Sequence, residues 1–140
     1  MKKRKEKLKK IGRIEQCHLK DLGIKHLQSK IDTGAYTSSI HCKKVKVKNK
    51  KLYCLFKGKK KAKNYVVFDS YSYRAVRSSN GISEMRYFIK TKIKFANKTY
   101  PIQLSLTNRK QMRYKLLIGR KFLAKRFIVD VSQKFIITTE

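Results

Sequence analysis

Acidic residues are scarce in this 140-residue chain: eight Asp and Glu stand against 38 Lys and Arg, a formal net charge of +30. Cysteine is sparse too. Cys17, Cys42 and Cys54 make an odd number with no CxxC pair, which excludes a disulfide framework and fits a reducing compartment. Long apolar runs are missing. The uncharged run that begins at Thr99 is broken by Arg109, far short of the roughly 20 apolar residues of a membrane span. The first ten residues, MKKRKEKLKK, are basic but lack the apolar stretch of a secretory signal. These absences point to a soluble, cytoplasmic protein with no membrane partner.

What is present suffices for one folded domain. With 41% hydrophobic and 11% aromatic residues the chain can bury a core, so a single domain is expected over 11–140. The like-charge block 1–10 is expected to be a disordered or frayed tail. A charge of +30 brings nucleic acid to mind. Yet 29 of the cations are Lys and nine are Arg, whereas base readout and phosphate forks favour Arg. The lysines are also scattered instead of forming one stripe. The charge is either functional or compositional drift; both favour acidic partners, and nucleic acid stays open. His18 beside Cys17 and His41 beside Cys42 suggest zinc, but strand neighbours point to opposite faces and HExxH is absent. The expectation is buried cysteines, partly exposed histidines and no metal site.

Short segments that alternate or bunch β-branched and aromatic residues predict strands at 11–19, 27–31, 38–47, 51–56, 64–68, 71–77, 84–95, 98–106, 115–118, 127–131 and 134–138. Breaks fall at 21–23, 58–63, 78–81, 96–97 and 108–111, several of them rich in the Gly and Asn that turns want. In Cys42-Lys-Lys-Val-Lys-Val-Lys, Val45 and Val47 should face inward. Only 120–126, after Gly119, suits a short helix, with Phe122 and Leu123 inward and Phe127 and Ile128 continuing the core. Tyr71 and Tyr73 share a strand face and serve core packing or ligand stacking. The fold class is therefore all-β, a small closed barrel or a sandwich with one short C-terminal helix. The hairpin turning at 96–97 is placed to cover a cleft.

With so few carboxylates each can be weighed. Glu6 lies in the tail and Glu140 at the end; Glu15, Asp21 and Asp69 have polar or turn contexts; Asp130 closes a strand after Phe-Ile-Val. Asp32 differs. It ends an apolar strand and opens Asp32-Thr33-Gly34-Ala35, where a hydroxyl and an unobstructed N–H could hold the carboxylate. An ordinary Asx-turn is the competing reading. Far along the chain, Leu116-Leu117-Ile118-Gly119-Arg120 is an apolar strand ending in Gly before the helical turn.

The order of blocks resembles one known family. Lys30-Ile-Asp-Thr-Gly-Ala-Tyr-Thr-Ser-Ser-Ile-His41, Val76-Arg-Ser-Ser-Asn-Gly81 with Glu84 and Arg86, Asn108-Arg109 with Met112, and 116–123 look like the retropepsin-like domain known under the name ATP-dependent zinc protease and associated with RimK-type ATP-grasp ligases. The likeness spans about residues 11–138. It implies a closed retropepsin-like (acid-protease) barrel and an aspartic peptidase, in which two carboxylates share one proton across a water. One Asp-Thr-Gly per chain then implies a homodimer with Asp32 from each subunit as catalyst. Thr33, Gly34, Ala35, Thr37 and Gly119 would support the site. Arg77, Ser78, Asn80, Gly81, Glu84 and Arg86 would form a polar network that recognises substrate; exposed cross-strand ion pairs are the competing reading. Arg120 would make a salt bridge there or cap the helix.

Tyr36 and Cys42 depart from the family pattern, where a basic residue and Ala are usual. The family name carries zinc and ATP, but no zincin helix or GxxxxGK[ST] loop occurs, so no cofactor is expected and ATP is assigned to a partner ligase. Association with glutamate-adding ligases, together with the charge, suggests an acidic, glutamate-rich peptide substrate. Two other classes stay in view: a non-catalytic barrel that modulates the ligase or the ribosome, and a basic nucleic-acid-binding protein. So positive a field works against a proton shared by two carboxylates at neutral pH, although a Debye length near 8 Å screens distant lysines enough to permit dimerisation.

Overall fold

The computed structural model describes residues 7–77, 80–137 and 139–140. Its strands are β1 (Lys9–Gly12), β2 (Ile14–Leu19), β3 (Ile24–Ile31), β4 (Ser38–His41), β5 (Lys44–Lys48), β6 (Lys51–Leu55), β7 (Tyr65–Phe68), β8 (Ser72–Arg77), β9 (Ser83–Phe95), β10 (Lys98–Thr107), β11 (Leu116–Ile118) and β12 (Phe127–Asp130). One short helix, α1, covers Arg120–Leu123. The all-β expectation holds, and of its two forms the closed barrel is the one found. Strands pair in the order β10, β4, β11, β3, β2, β9, and β9 pairs back onto β10, closing a six-stranded ring. Closure leaves these strands no free edge, and their inward residues, among them Ile31, Ile40, Ile89, Ile93, Leu104 and Ile118, fill the interior. β8 extends the ring from β9; β5, β6 and β7 form a second sheet; β1 and β12 make a parallel ribbon. Among the described residues no helix is long and apolar enough to cross a membrane.

Several local expectations are corrected. The segment 11–19 breaks at Arg13, and its first part starts at Lys9 and pairs with β12 instead of joining the ring. Residues 1–6 of the expected tail lie outside the described residues. The segment 38–47 breaks because Cys42 N–H donates to the Thr107 carbonyl (3.0 Å) and Lys43 N–H to that of Leu55 (2.8 Å), handing the chain from the barrel to the second sheet. Val47 is 46% exposed because β5 is an outer strand of that small sheet, while Val45 is half-buried against the core. Over 134–137 no strand forms: Phe135 sits at φ 56°, and the next two N–H groups turn to a carboxylate instead of a neighbouring strand. Thr138 lies outside the described residues.

The helix stops at Leu123, with Lys125 at φ 66° reversing the chain. Phe122, Leu123 and Phe127 are buried as expected, but Ile128 is 51% exposed because Phe127 and Val129 take the inward positions of β12. Tyr71 packs on the core, whereas Tyr73 is 53% exposed with its ring 4.4 Å from that of Tyr87. All three cysteines are free and buried. His18 is buried, not partly exposed, its Nδ1 accepting the His26 N–H at 2.9 Å. Glu15, read as a polar-context residue, has no exposed surface at all. Its carboxylate accepts N–H groups from Gly12 (2.7 Å), Ile136 (3.2 Å) and Ile137 (3.4 Å), replacing the ladder that the last segment lacks.

The hairpin of β9 and β10 is barrel wall, not a cover. Its turn at 96–97 lies at the end where β3 begins, since His18 pairs with Lys94 and Leu19 with Ile24. Asp32 leaves the opposite end of β3. The hairpin of β8 and β9 stands at that opposite end, where Phe88 faces Ser105 and Ser105 faces Ser39.

Candidate active site

Asp32 follows the last residue of β3, and its N–H continues the parallel ladder to the Ile118 carbonyl at 2.8 Å. The chain then bends. Gly34 N–H donates to Asp32 Oδ1 at 2.9 Å, and Ala35 N–H to the Asp32 carbonyl at 3.3 Å, an Asx-turn that points the carboxylate along its own backbone. A Cβ on Gly34 would lie 3.3 Å from that Oδ1, so glycine keeps the approach close. Asp32 as a whole is half-buried, and the bond its carboxylate accepts from Gly34 is exposed.

The start of α1 clamps this turn. Arg120 and Lys121 N–H groups donate to the carbonyls of Ala35 (2.8 Å) and Tyr36 (3.0 Å), and Gly119 N–H donates to Ser38 Oγ (3.0 Å). A Cβ on Gly119 would meet the Thr37 carbonyl oxygen at 2.6 Å, so this position takes only glycine without displacement. Arg120 reaches back to donate from Nη1 to the Thr33 carbonyl at 3.1 Å and lies 5.8 Å from the Tyr36 ring centre. Thr33 thus enters through its carbonyl. Ala35 likewise contributes its backbone oxygen, and the Thr37 carbonyl packs against Gly119.

A second cluster lies beside the turn. Ser39 and Ser105 hydroxyls are 2.6 Å apart, buried, and Arg86 Nη1 donates to them at 3.3 and 3.4 Å. Arg86 Nη2 pairs with Glu84 Oε2 at 3.2 Å, while Arg86 Nε is buried with no hydrogen-bond partner among the described residues. Arg86 is therefore more than an exposed cross-strand pair. Arg77, Asn80 and Gly81 lie exposed at the tip of the β8–β9 hairpin, where Asn80 Oδ1 accepts the Ile82 N–H and Gly81 has φ 83°. No hydrogen bond or ion pair between described residues joins these three to Asp32. Ser78 lies outside the described residues.

Arg109 belongs with this cluster, although the sequence marked it only as part of the Asn108-Arg109 block and gave it no role. Burial and then the charge of Arg86 lower its pKa, and the Asp32 carboxylate pulls it back up, so Arg109 feels both groups. The backbone N–H of Arg109 donates to His41 Nδ1 (2.9 Å), and its Nε to the Tyr114 carbonyl (3.0 Å). Lys115 Nζ ties the same loop by donating to the carbonyls of Arg109, Lys110 and Met112. Only the Asn108-Arg109 block pointed here in the sequence; no local periodicity could. Ser39 and Ser105 are ordinary strand residues until the barrel closes.

Among the described residues no three His, Cys, Asp or Glu side chains gather as a metal site. His41 Nδ1 is occupied by the Arg109 N–H, and Cys42 Sγ donates to the Lys44 and Leu55 carbonyls. This donor set does not fit a zinc ion. What the turn does present is one carboxylate within electrostatic reach of Arg109, able to polarise a water but not, alone, to both take and give a proton.

A family model described as retropepsin-like aspartic endopeptidase RimB matches residues 10–140. A protein from Shewanella pealeana named "Probable alpha-L-glutamate ligase" is 31% identical over 142 residues, covering 89% of this chain and 29% of its own length. One of the same name from Parasynechococcus marenigrum is 31% identical over 137 residues, covering 86% and 27%. The chain thus spans less than a third of these relatives. A crystal structure of a Legionella pneumophila protein of unknown function (DUF785) aligns with a TM-score of 0.68 and 27% identity, covering 91% of this chain and 97% of that one.

Proposed function

The chain belongs to the RimB-like family of retropepsin-like aspartic endopeptidases, and from that premise we propose that it cleaves glutamate-rich acidic peptides as a homodimer through Asp32. The observation that carries this reading is the Asp32 turn itself, with its carboxylate fixed by Gly34 N–H and its backbone clamped to α1. Preorganisation of this kind is what a water-activating carboxylate requires. One such carboxylate per chain calls for a second from a symmetry mate, giving the dyad that shares a proton. One Asp32 takes a proton from the water as its oxygen attacks the scissile carbonyl carbon. The other donates its proton to the carbonyl oxygen, and collapse of the diol passes a proton to the leaving nitrogen.

Arg86 and Arg109 supply the specificity. Two guanidinium groups beside the turn, one with an Nε unpartnered among the described residues, suit the carboxylate of a substrate glutamate. Three free cysteines agree with a reducing, cytoplasmic setting. A second reading rests on the relatives: their matching region is part of a longer protein named as a glutamate ligase, which favours a module that docks on an ATP-grasp ligase.

Asp32→Asn separates the two. Mass spectrometry of a glutamate-extended peptide should show cleavage by the wild type and none by the variant, with ligase binding intact in both. Turnover by Asp32→Asn removes the aspartyl mechanism. Sedimentation velocity should show the dimer under the conditions of cleavage.

A further inference from the structure

We propose that a basic groove running down the outside of the barrel, from the 96–97 turn toward the Asp32 end, is an exosite that holds an acidic peptide tail. Its wide end is a cleft of about 630 Å³ lined by Lys7, Lys9, Lys98, Lys125 and Arg126 around Tyr100, and no Asp or Glu lines it among the described residues. A smaller cleft of about 180 Å³ shares Pro101 and Arg126 with the first and reaches Thr37, Ser38 and Lys121. The two are therefore continuous along β10 and α1. Thr37 and Ser38 follow the Asp32 turn in the chain, so the groove ends on the segment that leaves that turn.

Like charges converge on this concave surface from separate parts of the chain: the segment before β1, the start of β10, and the turn after α1. Lys9 N–H is fixed to the Arg126 carbonyl at 3.1 Å, and Arg126 Nη1 to the Phe122 carbonyl at 2.9 Å, so the wall is built and not merely decorated. A concave wall of one sign concentrates counter-ions of the other. The occupant is a peptide and not a nucleic acid because, among the described residues that line the groove, no aromatic face is open to bases. Tyr100 has Lys98 and Arg126 each 5.4 Å from its ring centre and packs on Phe122 and Phe127. The span also fits. From Lys98 to Leu104, which pairs with Ser38, six residue steps cover about 20 Å, the length of about six residues of extended peptide.

This proposal rests on the acidic-peptide reading of the active site, and the test keeps the two apart. Fluorescein-labelled decaglutamate is titrated by anisotropy into the full chain carrying Asp32→Asn, so that binding is read without turnover. Lys98→Glu with Lys125→Glu should weaken the dissociation constant about tenfold or more, and affinity should fall between about 50 and 500 mM salt. Lys59→Glu with Lys60→Glu changes net charge equally, outside the groove, and should weaken binding less than about twofold. Triglutamate, too short for the span, should lose most of the groove dependence. Equal losses from both pairs, or none from the groove pair, overturn the exosite while leaving Asp32-dependent cleavage untouched. Groove-dependent binding of a single-stranded RNA 12-mer in preference to decaglutamate overturns it in favour of nucleic acid. Cleavage that survives Asp32→Asn sinks the peptidase reading but not the anisotropy result.

Discussion

Gly119→Ala is the substitution that most directly tests how the site is held. Gly119 has φ −99° and ψ 179°, open to any residue, so the backbone alone would favour alanine by about 0.4–1 kcal/mol through the unfolded chain. Packing works in the opposite direction. The new Cβ would stand 2.6 Å from the Thr37 carbonyl oxygen and 2.8 Å from that of Ala35, both backbone, where ordinary contact begins at 3.4 Å. Turn and helix would have to separate by 3.4 − 2.6, or 0.8 Å. That stretch falls on the three bonds that clamp them, from Gly119, Arg120 and Lys121 N–H. Overpacking costs about 1–3 kcal/mol and weakening one or two hydrogen bonds about 1 kcal/mol each.

The net loss after the entropic gain is about 1–4 kcal/mol. With a urea slope of about 1–3 kcal/mol/M, the unfolding midpoint should fall by at least about 0.3 M. Gly34→Ala is the internal contrast. Its Cβ would meet only Asp32 Oδ1 at 3.3 Å, so stability should change by less than about 0.5 kcal/mol while the displaced carboxylate costs activity. A Gly119→Ala protein as stable as the wild type, or more so, would refute the tight clamp.

Glu15→Ala should destabilise the fold by about 3–5 kcal/mol, because it leaves the buried N–H of Gly12 and the part-buried N–H groups of Ile136 and Ile137 without their acceptor. Hydrogen exchange should show protection lost at Ile136 and Ile137, and retained protection there would contradict the bonding described. His41 predicts a pH effect. Burial, then the charges of Lys115, Lys43, Arg109 and Lys110, lower its pKa, and its Nδ1 must stay unprotonated to accept the Arg109 N–H. The unfolded chain therefore binds the proton first as pH falls, so this contribution is present above the unfolded value near 6.5 and is lost below it. His41→Asn should narrow the drop in urea midpoint between pH 7.5 and pH 5.5; an unchanged drop would exclude His41 as its source.

Legibility differed by kind of residue. Strands of the ring were readable because alternation and turn chemistry are local, and ten of the eleven expected segments overlap a strand of the structure. Asp32, Gly34 and Gly119 were readable because their motif encodes a local bend. Arg109, Ser39, Ser105 and Glu15 were not. Each acquires its role from a neighbour distant in sequence: Ser39 meets Ser105 only across the parallel pairing of β10 with β4, and Glu15 meets the C-terminal segment only after β1 and β12 pair. The hairpin at 96–97 illustrates the converse. Its strands were correctly placed, but whether a hairpin covers a cleft or closes a barrel depends on which edge it meets.

Composition and local pattern determined that this chain is basic and all-β, with one carboxylate set in a glycine bend. Such properties follow from side-chain period, turn preference and charge, which need no partner. Tertiary structure alone decided that Arg109 comes within electrostatic reach of that carboxylate, that Gly119 locks its turn, and that scattered lysines line one groove. Those are facts of juxtaposition, fixed when parallel pairings between remote segments close the ring.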